Sequence, residues 1–181
     1  MSNAYSELVA RISGGEALTR DEAQSLLSTE DGQDFALIEA ASALRRQEFR
    51  NVIAIHTEDE ELAEALGTRS ISIDSYEILD ISQDIDSHEL ADRMVALGAG
   101  KPTGITVKLP QQAVPMTLMR ILSVLRLAAP DKVIHLPEGY EESLRSLASL
   151  AMHIVSAITI TDDIERWPLV NETLKALRHG G

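Results

Sequence analysis

The fold of this chain is decided by residues 105–136, which read ITVKLPQQAVPMTLMRILSVLRLAAPDKVIHL. An apolar, β-branched run at Ile105–Leu109 is followed by an amphipathic stretch at Pro115–Leu127 and then by a second β-branched run at Lys132–Leu136. Short runs of this kind, separated by a helical stretch, are typical of a βαβ unit with parallel strands. The pattern therefore predicts an α/β fold with a mainly parallel sheet.

The same alternation extends in both directions from this unit. Five strands are expected, at Val52–Ile55, Ile71–Ile73, Ile105–Leu109, Lys132–Leu136 and Ile154–Ile160. Helices are expected at about Asp59–Leu66, Ser87–Leu97, Pro115–Leu127, Glu141–Met152 and Leu169–Leu177. The acidic region Ser75–Asp86 fits either a loop or an additional short strand.

The first fifty residues carry helical signals only. Thr19 and Glu22 form the two ends of a capping box, which predicts a helix that starts there. Three helices are expected before the first strand. We therefore divide the chain into a helical lead-in at 1–50 and an α/β domain at 51–181, which together form one structural unit because no Pro-, Gly- or Ser-rich linker separates them.

Composition excludes several kinds of chemistry. The 181 residues contain no cysteine, which excludes thiolate zinc sites, thiol nucleophiles, disulfides and cysteine-ligated iron–sulfur clusters. With 16 Lys or Arg against 29 Asp or Glu, the net charge is −13, which disfavours nucleic acid and anionic membranes as partners. No apolar stretch reaches the roughly 20 residues that span a bilayer, and the start lacks a signal-peptide pattern, so a cytoplasmic protein is expected.

Candidate binding residues follow from the strand positions, because ligands in parallel α/β sheets bind at the carboxyl ends of the strands. The polar residues at or just after the expected strand ends are His56, Asp74, Lys108, His135, Glu138 and Asp162. Neutral imidazole and carboxylate oxygen are common metal ligands. However, no H-x-H, H-x-x-x-H or H-E-x-x-H spacing occurs, so neither a metal site nor a cofactor is predicted.

His135 lies inside the apolar run that forms the fourth expected strand. Strand alternation places its ring on the same face as Val133 and on the opposite face from Ile134 and Leu136. A hydrogen-bonded histidine of the sheet interior and a ligand-binding histidine both fit this position.

Two segments resemble the radical SAM enzymes of the biotin synthase group. The first resembles that family's helical lead-in, "LT-x-E-E-A … A-x-x-L-R-x-x-x-x-G-N", at residues Ala17–Ala23 and Ala43–Asn51. The second resembles its closing stretch, "R-x-x-x-P … I-R-I-P-x-G-R-E … G-I-S-P-V-T-x-D … P-W-P", at Met119–Pro130, Val133–Gly139, Ala157–Asp163 and Arg166–Pro168. The resemblance implies a partial or open TIM-barrel-like sheet of about five strands, with a flavodoxin-like three-layer fold as the alternative.

This chain lacks the cysteine motif on which the chemistry of that family depends. Its C-x-x-x-C-x-x-C motif, whose thiolates hold the [4Fe–4S] cluster that cleaves S-adenosylmethionine, would follow the lead-in, where this chain has His56, Thr57, Glu58 and Asp59. Radical SAM chemistry by this chain alone is therefore excluded. The resemblance implies a shortened, cysteine-less relative.

Three hypotheses follow. The first is a non-catalytic accessory, regulatory or assembly subunit that acts with a cysteine-bearing radical SAM partner or as a homo-oligomer. The second is a small-molecule or metal-binding enzyme or sensor that uses the strand-end residues, so that whether the chain is an enzyme stays open. The third is an ordinary flavodoxin-like α/β module that associates through one face.

Overall fold

A computed structural model describes residues 3–29, 32–50, 52–57, 71–81 and 85–160. Its helices are α1 (Asn3–Ser13), α2 (Arg20–Leu27), α3 (Asp34–Phe49), α4 (Ser87–Ala99), α5 (Pro115–Ala128), α6 (Tyr140–Leu144) and α7 (Ala148–Ala151), with a 3₁₀ turn at Arg145–Leu147. Its strands are β1 (Ala54–His56), β2 (Glu77–Asp80), β3 (Gly104–Lys108), β4 (Val133–Leu136) and β5 (Ala157–Thr159). The helices expected near 59–66 and 169–177 lie outside the described residues.

The five strands form one parallel sheet in the order β1-β5-β4-β3-β2. Consecutive strands from β2 to β5 are neighbours, and β5 lies beside β1, as in a (β/α) barrel. Within the described residues, β1 and β2 do not pair with each other to close the sheet. A flavodoxin-like sheet has the order 2-1-3-4-5 instead. The prediction of a five-stranded parallel α/β sheet is confirmed, and its strand order is that of a partial barrel.

The second strand differs from its predicted position. No strand forms at 71–73, and β2 instead occupies Glu77–Asp80, inside the acidic region that fitted either a loop or a strand. Only Leu79 of this strand is buried, because β2 is paired on one side by β3 and lies at the end of the sheet. An edge strand of this kind needs little apolar sequence, which is why its pattern is weak.

The helix predicted at Glu141–Met152 is divided into α6, the 3₁₀ turn and α7. The break occurs at Arg145, whose φ of +52° is incompatible with a continuous right-handed helix. The helical periodicity of this stretch is therefore real, but the positive φ of Arg145 interrupts the helix.

The capping box at the start of α2 is confirmed. The Glu22 backbone N–H donates to Thr19 Oγ1 (3.3 Å), and the Thr19 backbone N–H donates to Glu22 Oε2 (2.9 Å). This hydrogen bond from Thr19 is the largest cause that lowers the pKa of Glu22, with Arg11 contributing as well. The cap positions α2 for its packing against α4 and α5.

One hydrophobic core includes residues from the lead-in helices and from the α/β part. Leu37 and Leu44 of α3 belong to the same cluster as Leu122 of α5 and Ile158 of β5. From β2 to β5, each strand lies on the same side of the one before it. Since βαβ connections are right-handed, the helices between these strands all cover one face of the sheet. The opposite face, here called the inner face, carries His56, Thr106, His135 and Thr159.

Two buried arginines join the segments that precede the strands. Arg126 of α5 is fully buried. Its guanidinium donates to the carbonyl oxygens of Ile154 (2.9 Å), Ala129 (3.3 Å), Pro130 (3.1 Å) and Lys132 (2.8 Å) and to Ser156 Oγ (2.5 Å). Arg45 of α3 donates in the same way to the carbonyl oxygens of Val155 (3.0 Å), Arg50 (2.7 Å) and Val52 (2.6 Å). These contacts fix the amino ends of β1, β4 and β5.

Gly98 of α4 lies directly against the backbone at the end of α5. A Cβ at this position would overlap the backbone carbonyl of Ala128. We expect Gly98→Ala to lower the free energy of unfolding by about 1–3 kcal/mol, because the helices must separate to admit the methyl group. Urea denaturation would measure the change. Gly32→Ala is the matched control, since a Cβ there meets nothing within 4 Å; equal losses in both variants would contradict the close approach.

Candidate functional site

The centre of the inner face is His135 on β4. Its Nδ1 lies 3.1 Å from Thr106 Oγ1 on β3, and its Nε2 lies 2.8 Å from Thr159 Oγ1 on β5. The side chain is fully buried, and it points away from Ile134, as strand alternation predicted. Burial, with a smaller effect of nearby His56, lowers the pKa of His135 to about 4. The imidazole is therefore neutral at pH 7.

Two further rings lie against His135. The His56 ring, on β1, is 6.1 Å from it with an interplanar angle of 87°, and the Tyr76 ring is 6.3 Å from it at 70°. His56 Nδ1 is itself 2.7 Å from the carbonyl oxygen of Ile71. Tyr76 also packs on Gly104, where a Cβ would come within 2.6 Å of the phenol ring. We call His56, Tyr76 and His135 the inner-face cluster.

The inner-face cluster offers few free ligand atoms. Both nitrogens of His135 are engaged by threonine hydroxyls, so metal binding through this ring would require the loss of one of these hydrogen bonds. Among the described residues, no group of three or more His, Asp or Glu side chains is arranged to hold a metal ion. The cluster is therefore suited to shaping the inner face and to a neutral hydrogen-bonding role.

Lys108 and Glu138 lie in a different place. Both line a cavity of about 310 Å³ between the loop after β3 and the loop after β4. The remaining lining residues are Val107, Leu109, Gln111, Pro137, Gly139, Tyr140 and Ser143. We call this space the strand-end cavity. It occupies the carboxyl ends of two neighbouring parallel strands, where ligand sites of α/β proteins are found.

Tyr140 and Ser143 form the buried wall of the strand-end cavity. Both belong to α6, and they are exposed by only 4% and 1%. Burial, followed by the charge of Glu141 and a hydrogen bond with that side chain, raises the pKa of the Tyr140 phenol, so this group stays protonated. Gln111 also lines the cavity, and its Nε2 donates to Oε2 of Glu142, another residue of α6 (3.1 Å).

The other two candidate residues do not join either group. Asp74 is exposed in the turn before β2, where its Oδ2 accepts a hydrogen bond from Ser72 Oγ (2.9 Å). Asp162 lies outside the described residues. The structure thus groups four of the six candidates, with His56 and His135 on the inner face and Lys108 and Glu138 at the strand-end cavity.

Sequence reasoning missed the partners of both pairs. Thr106 is two residues before Lys108 on β3 and faces His135, because β3 and β4 pair with Thr106 opposite His135. Tyr140 and Ser143 are three residues apart, which is the spacing that places two side chains on one face of a helix. The alternation and the spacing are visible in the sequence, but the register between strands is not.

Comparison with known proteins gives one partial similarity. A segment of 51 residues, or 28% of this chain, is 41% identical to the biotin synthase of Kocuria rhizophila and covers 11% of that enzyme. No protein-family model matches the chain. Among the described residues, no helix is both long and apolar enough to cross a membrane. The similarity supports a distant relation to radical SAM enzymes at most, in a chain whose 181 residues include no cysteine.

Proposed function

We propose that this chain is a cytoplasmic, non-catalytic accessory, regulatory or assembly subunit that acts with a radical SAM enzyme of the biotin synthase type. The observation that carries the proposal is the combination of a biotin-synthase-like segment with a sequence that contains no cysteine. A [4Fe–4S] cluster of this family needs thiolate ligands, so these residues cannot hold one. A role through a cluster-bearing partner is the function that remains consistent with the relation.

The architecture supports this proposal in a second way. The strands follow barrel order, but among the described residues β1 pairs only with β5 and β2 only with β3. The outer edge of β1 is partly covered, because the Ile71 backbone N–H donates to the Ile55 carbonyl oxygen (2.9 Å). The outer edge of β2 has no strand partner in the described part of the chain, and proteins normally cover the unpaired N–H and C=O groups of such an edge. A partner subunit or a second copy of the chain would provide such a cover.

The test is isolation of the chain from its own source under mild, chelator-free conditions, followed by native mass spectrometry and iron analysis. We expect a complex of defined stoichiometry with a second chain that contains C-x-x-x-C-x-x-C, and we expect the iron to leave with that chain when the complex is dissociated. The partner's S-adenosylmethionine cleavage would then be measured with and without the added subunit.

The control is the partner with an unrelated acidic protein of similar size, because a net charge of −13 produces non-specific association at low salt. A chain that runs as a bare monomer or homo-oligomer, or a partner without the three-cysteine motif, would contradict the radical SAM role. A partner whose activity does not respond to this chain would restrict the proposal to assembly.

A second candidate function is supported by the strand-end cavity. Its volume of about 310 Å³ lies at the lower limit of small-molecule sites, and it is lined by both an ammonium and a carboxylate group. These features favour a small-molecule sensor or enzyme of the class that the strand-end residues predicted. The two functions are compatible, since a regulatory subunit commonly binds a metabolite.

A further inference from the structure

The outer edge of β2 presents unpaired backbone groups. Within the described part of the chain, β2 pairs with β3 on one side and with no strand on the other. The Ile81 backbone N–H donates to the Lys108 carbonyl oxygen (3.0 Å), so the backbone groups of Ile81 face β3. Successive residues of a strand point their backbone groups to opposite sides. Those of Leu79 therefore also face β3, whereas those of Ile78 and Asp80 face the outer edge.

The described residues leave most of this edge open. Among the described hydrogen bonds, one long contact reaches it, from Arg93 Nη1 of α4 to the Asp80 carbonyl oxygen (3.5 Å). The Ile78 side chain is 53% exposed, so a strand added here would also bury apolar surface. Free N–H and C=O groups at the end of a sheet are a template for pairing with an extended segment of another chain.

The charge around β2 selects the kind of segment. Residues 74–86 contain five Asp or Glu and no Lys or Arg. Glu77 and Asp80 are exposed on β2 itself, and Lys108 and Arg93, which lie beside Asp80, offset only part of this charge. A second copy paired through the same edge would place carboxylates against their own counterparts, and like charges on neighbouring strands are destabilising. A basic segment would meet opposite charges instead.

We propose that the outer edge of β2 binds an extended, basic segment of a partner protein, which adds to the sheet as a further strand. The backbone groups of Ile78 and Asp80 supply the hydrogen bonds, and the Ile78 side chain supplies apolar contact. Glu77 and Asp80 favour Lys or Arg side chains on the added strand. This inference rests on the proposed function, since it names the edge through which the accessory subunit would meet its partner.

The first test titrates three short peptides into the isotope-labelled full chain. One alternates Lys with Val, the second alternates Glu with Val, and the third is the Lys peptide with every backbone nitrogen methylated, which keeps its charge but removes its backbone donors. NMR follows hydrogen exchange at the backbone N–H groups. At saturation, we expect the Lys peptide to slow exchange at Ile78 and Asp80 by about tenfold and to leave Leu79, which faces β3, unchanged.

The control peptides separate strand addition from simple charge attraction. The Glu peptide and the methylated Lys peptide are both expected to leave exchange at Ile78 and Asp80 unchanged. A methylated peptide that acts as strongly as the Lys peptide would show that charge alone causes binding, and this result would overturn the proposal. The absence of any effect of the Lys peptide would overturn it as well.

Matched variants separate this edge from the net charge of the chain. The double variant Glu77→Lys/Asp80→Lys is expected to weaken binding of the Lys peptide by about tenfold. Glu7→Lys/Glu48→Lys makes the same charge change at exposed positions of α1 and α3 and is expected to leave binding unchanged. Equal losses in the two double variants would overturn the proposal, because binding would then follow net charge.

A proline tests the same edge in the complex with the partner from the native source. Ile78→Pro removes the outward N–H and keeps the hydrogen bonds to β3, which is where edge strands tolerate proline. We expect it to weaken the complex by about tenfold, the equivalent of one or two hydrogen bonds. Thermal unfolding checks that the variant keeps its fold, and the double variant Glu77→Lys/Asp80→Lys replaces it if it does not.

The outcomes distinguish this inference from the proposed function. If the folded variants bind the partner as tightly as the unchanged chain, the edge is not the interface and the accessory role stands. If they lose a partner that lacks the three-cysteine motif, the edge stands and the radical SAM role fails.

The unbound chain tests the other possible occupants of the edge. If the N–H groups of Ile78 and Asp80 are already protected from exchange at low protein concentration, a segment of the chain itself covers the edge. If their protection develops only as the protein concentration rises, a second copy covers it. Either result would overturn the proposal.

Discussion

Replacing Arg126 with methionine is expected to lower the free energy of unfolding by about 3–5 kcal/mol, the largest effect that we predict for a single side chain. The guanidinium is fully buried, and it donates hydrogen bonds to four backbone carbonyls and to the Ser156 hydroxyl. Methionine keeps much of the apolar length of the side chain but donates no hydrogen bond. The Ala129 carbonyl would keep the Lys132 backbone N–H as a donor. The other carbonyl groups would lose the donor that Arg126 supplies, at a cost of about 1–3 kcal/mol for each one that water cannot reach.

The cost of burying the charge of Arg126 offsets part of the stability that its hydrogen bonds contribute. Burial, and to a lesser extent the charge of Arg45, lowers the pKa of Arg126 to about 9, so the group is still protonated at neutral pH. The Phe49 ring, whose centroid is 4.9 Å from the guanidinium carbon, adds a cation–π contact. We therefore expect the loss of these hydrogen bonds to outweigh the relief of burying a charge, because the variant removes the donor and leaves its acceptors in place.

Urea denaturation at pH 7 would measure this loss. Arg46→Met is the matched control, since Arg46 is exposed on α3 and its loss should change stability by no more than about 0.5 kcal/mol. Similar values for the two variants would show that water replaces the guanidinium at the buried carbonyls, and would contradict the structural role assigned to Arg126.

Acidification is expected to destabilise the fold through His135. Its pKa is about 4 in the folded chain and about 6.5 in the unfolded chain. Between these values the unfolded chain binds more protons than the folded one, so stability falls as the pH falls. The full contribution is present above pH 6.5 and is lost by pH 4. A difference of this size corresponds to about 3 kcal/mol.

The measurement is the free energy of unfolding of the native chain and of His135→Gln at intervals from pH 7 to pH 4. Glutamine keeps hydrogen-bonding atoms near Thr106 and Thr159 but does not titrate. Other groups contribute to the slope in both proteins, including His153, whose pKa is also lowered by burial. The difference between the two curves isolates His135, and parallel curves would show that its imidazole is accessible to protons in the folded state.

Several elements could be predicted from local sequence. The helix expected at Pro115–Leu127 is α5, and the strand expected at Lys132–Leu136 contains β4. Both have strong apolar patterns and clear end signals, because each is buried against several neighbours. The strand at Glu77–Asp80 lies in the region Ser75–Asp86, which fitted either a loop or a short strand, since an edge strand buries too little surface to impose a clear pattern.

The candidate site could be predicted only in part. His135 and Lys108 were identified because a parallel sheet places functional groups at its strand ends. Their separation into the inner-face cluster and the strand-end cavity could not be read from the sequence, because Lys108 and Glu138 line a cavity that also depends on the position of α6. The buried role of Arg126 was equally hidden, since its acceptors include the Ile154 carbonyl, 28 residues away, and the Ser156 hydroxyl, 30 residues away.

The sequence by itself determined the chemical inventory and the order of elements: no thiolate, a net charge of −13, lead-in helices and then alternating strands and helices. Only the tertiary structure decided which side chains meet. His135 lies between Thr106 and Thr159 because β4 is placed between β3 and β5 in a fixed register. Local sequence sets the conformation of each segment through short-range interactions, whereas register and neighbours depend on packing of the whole core.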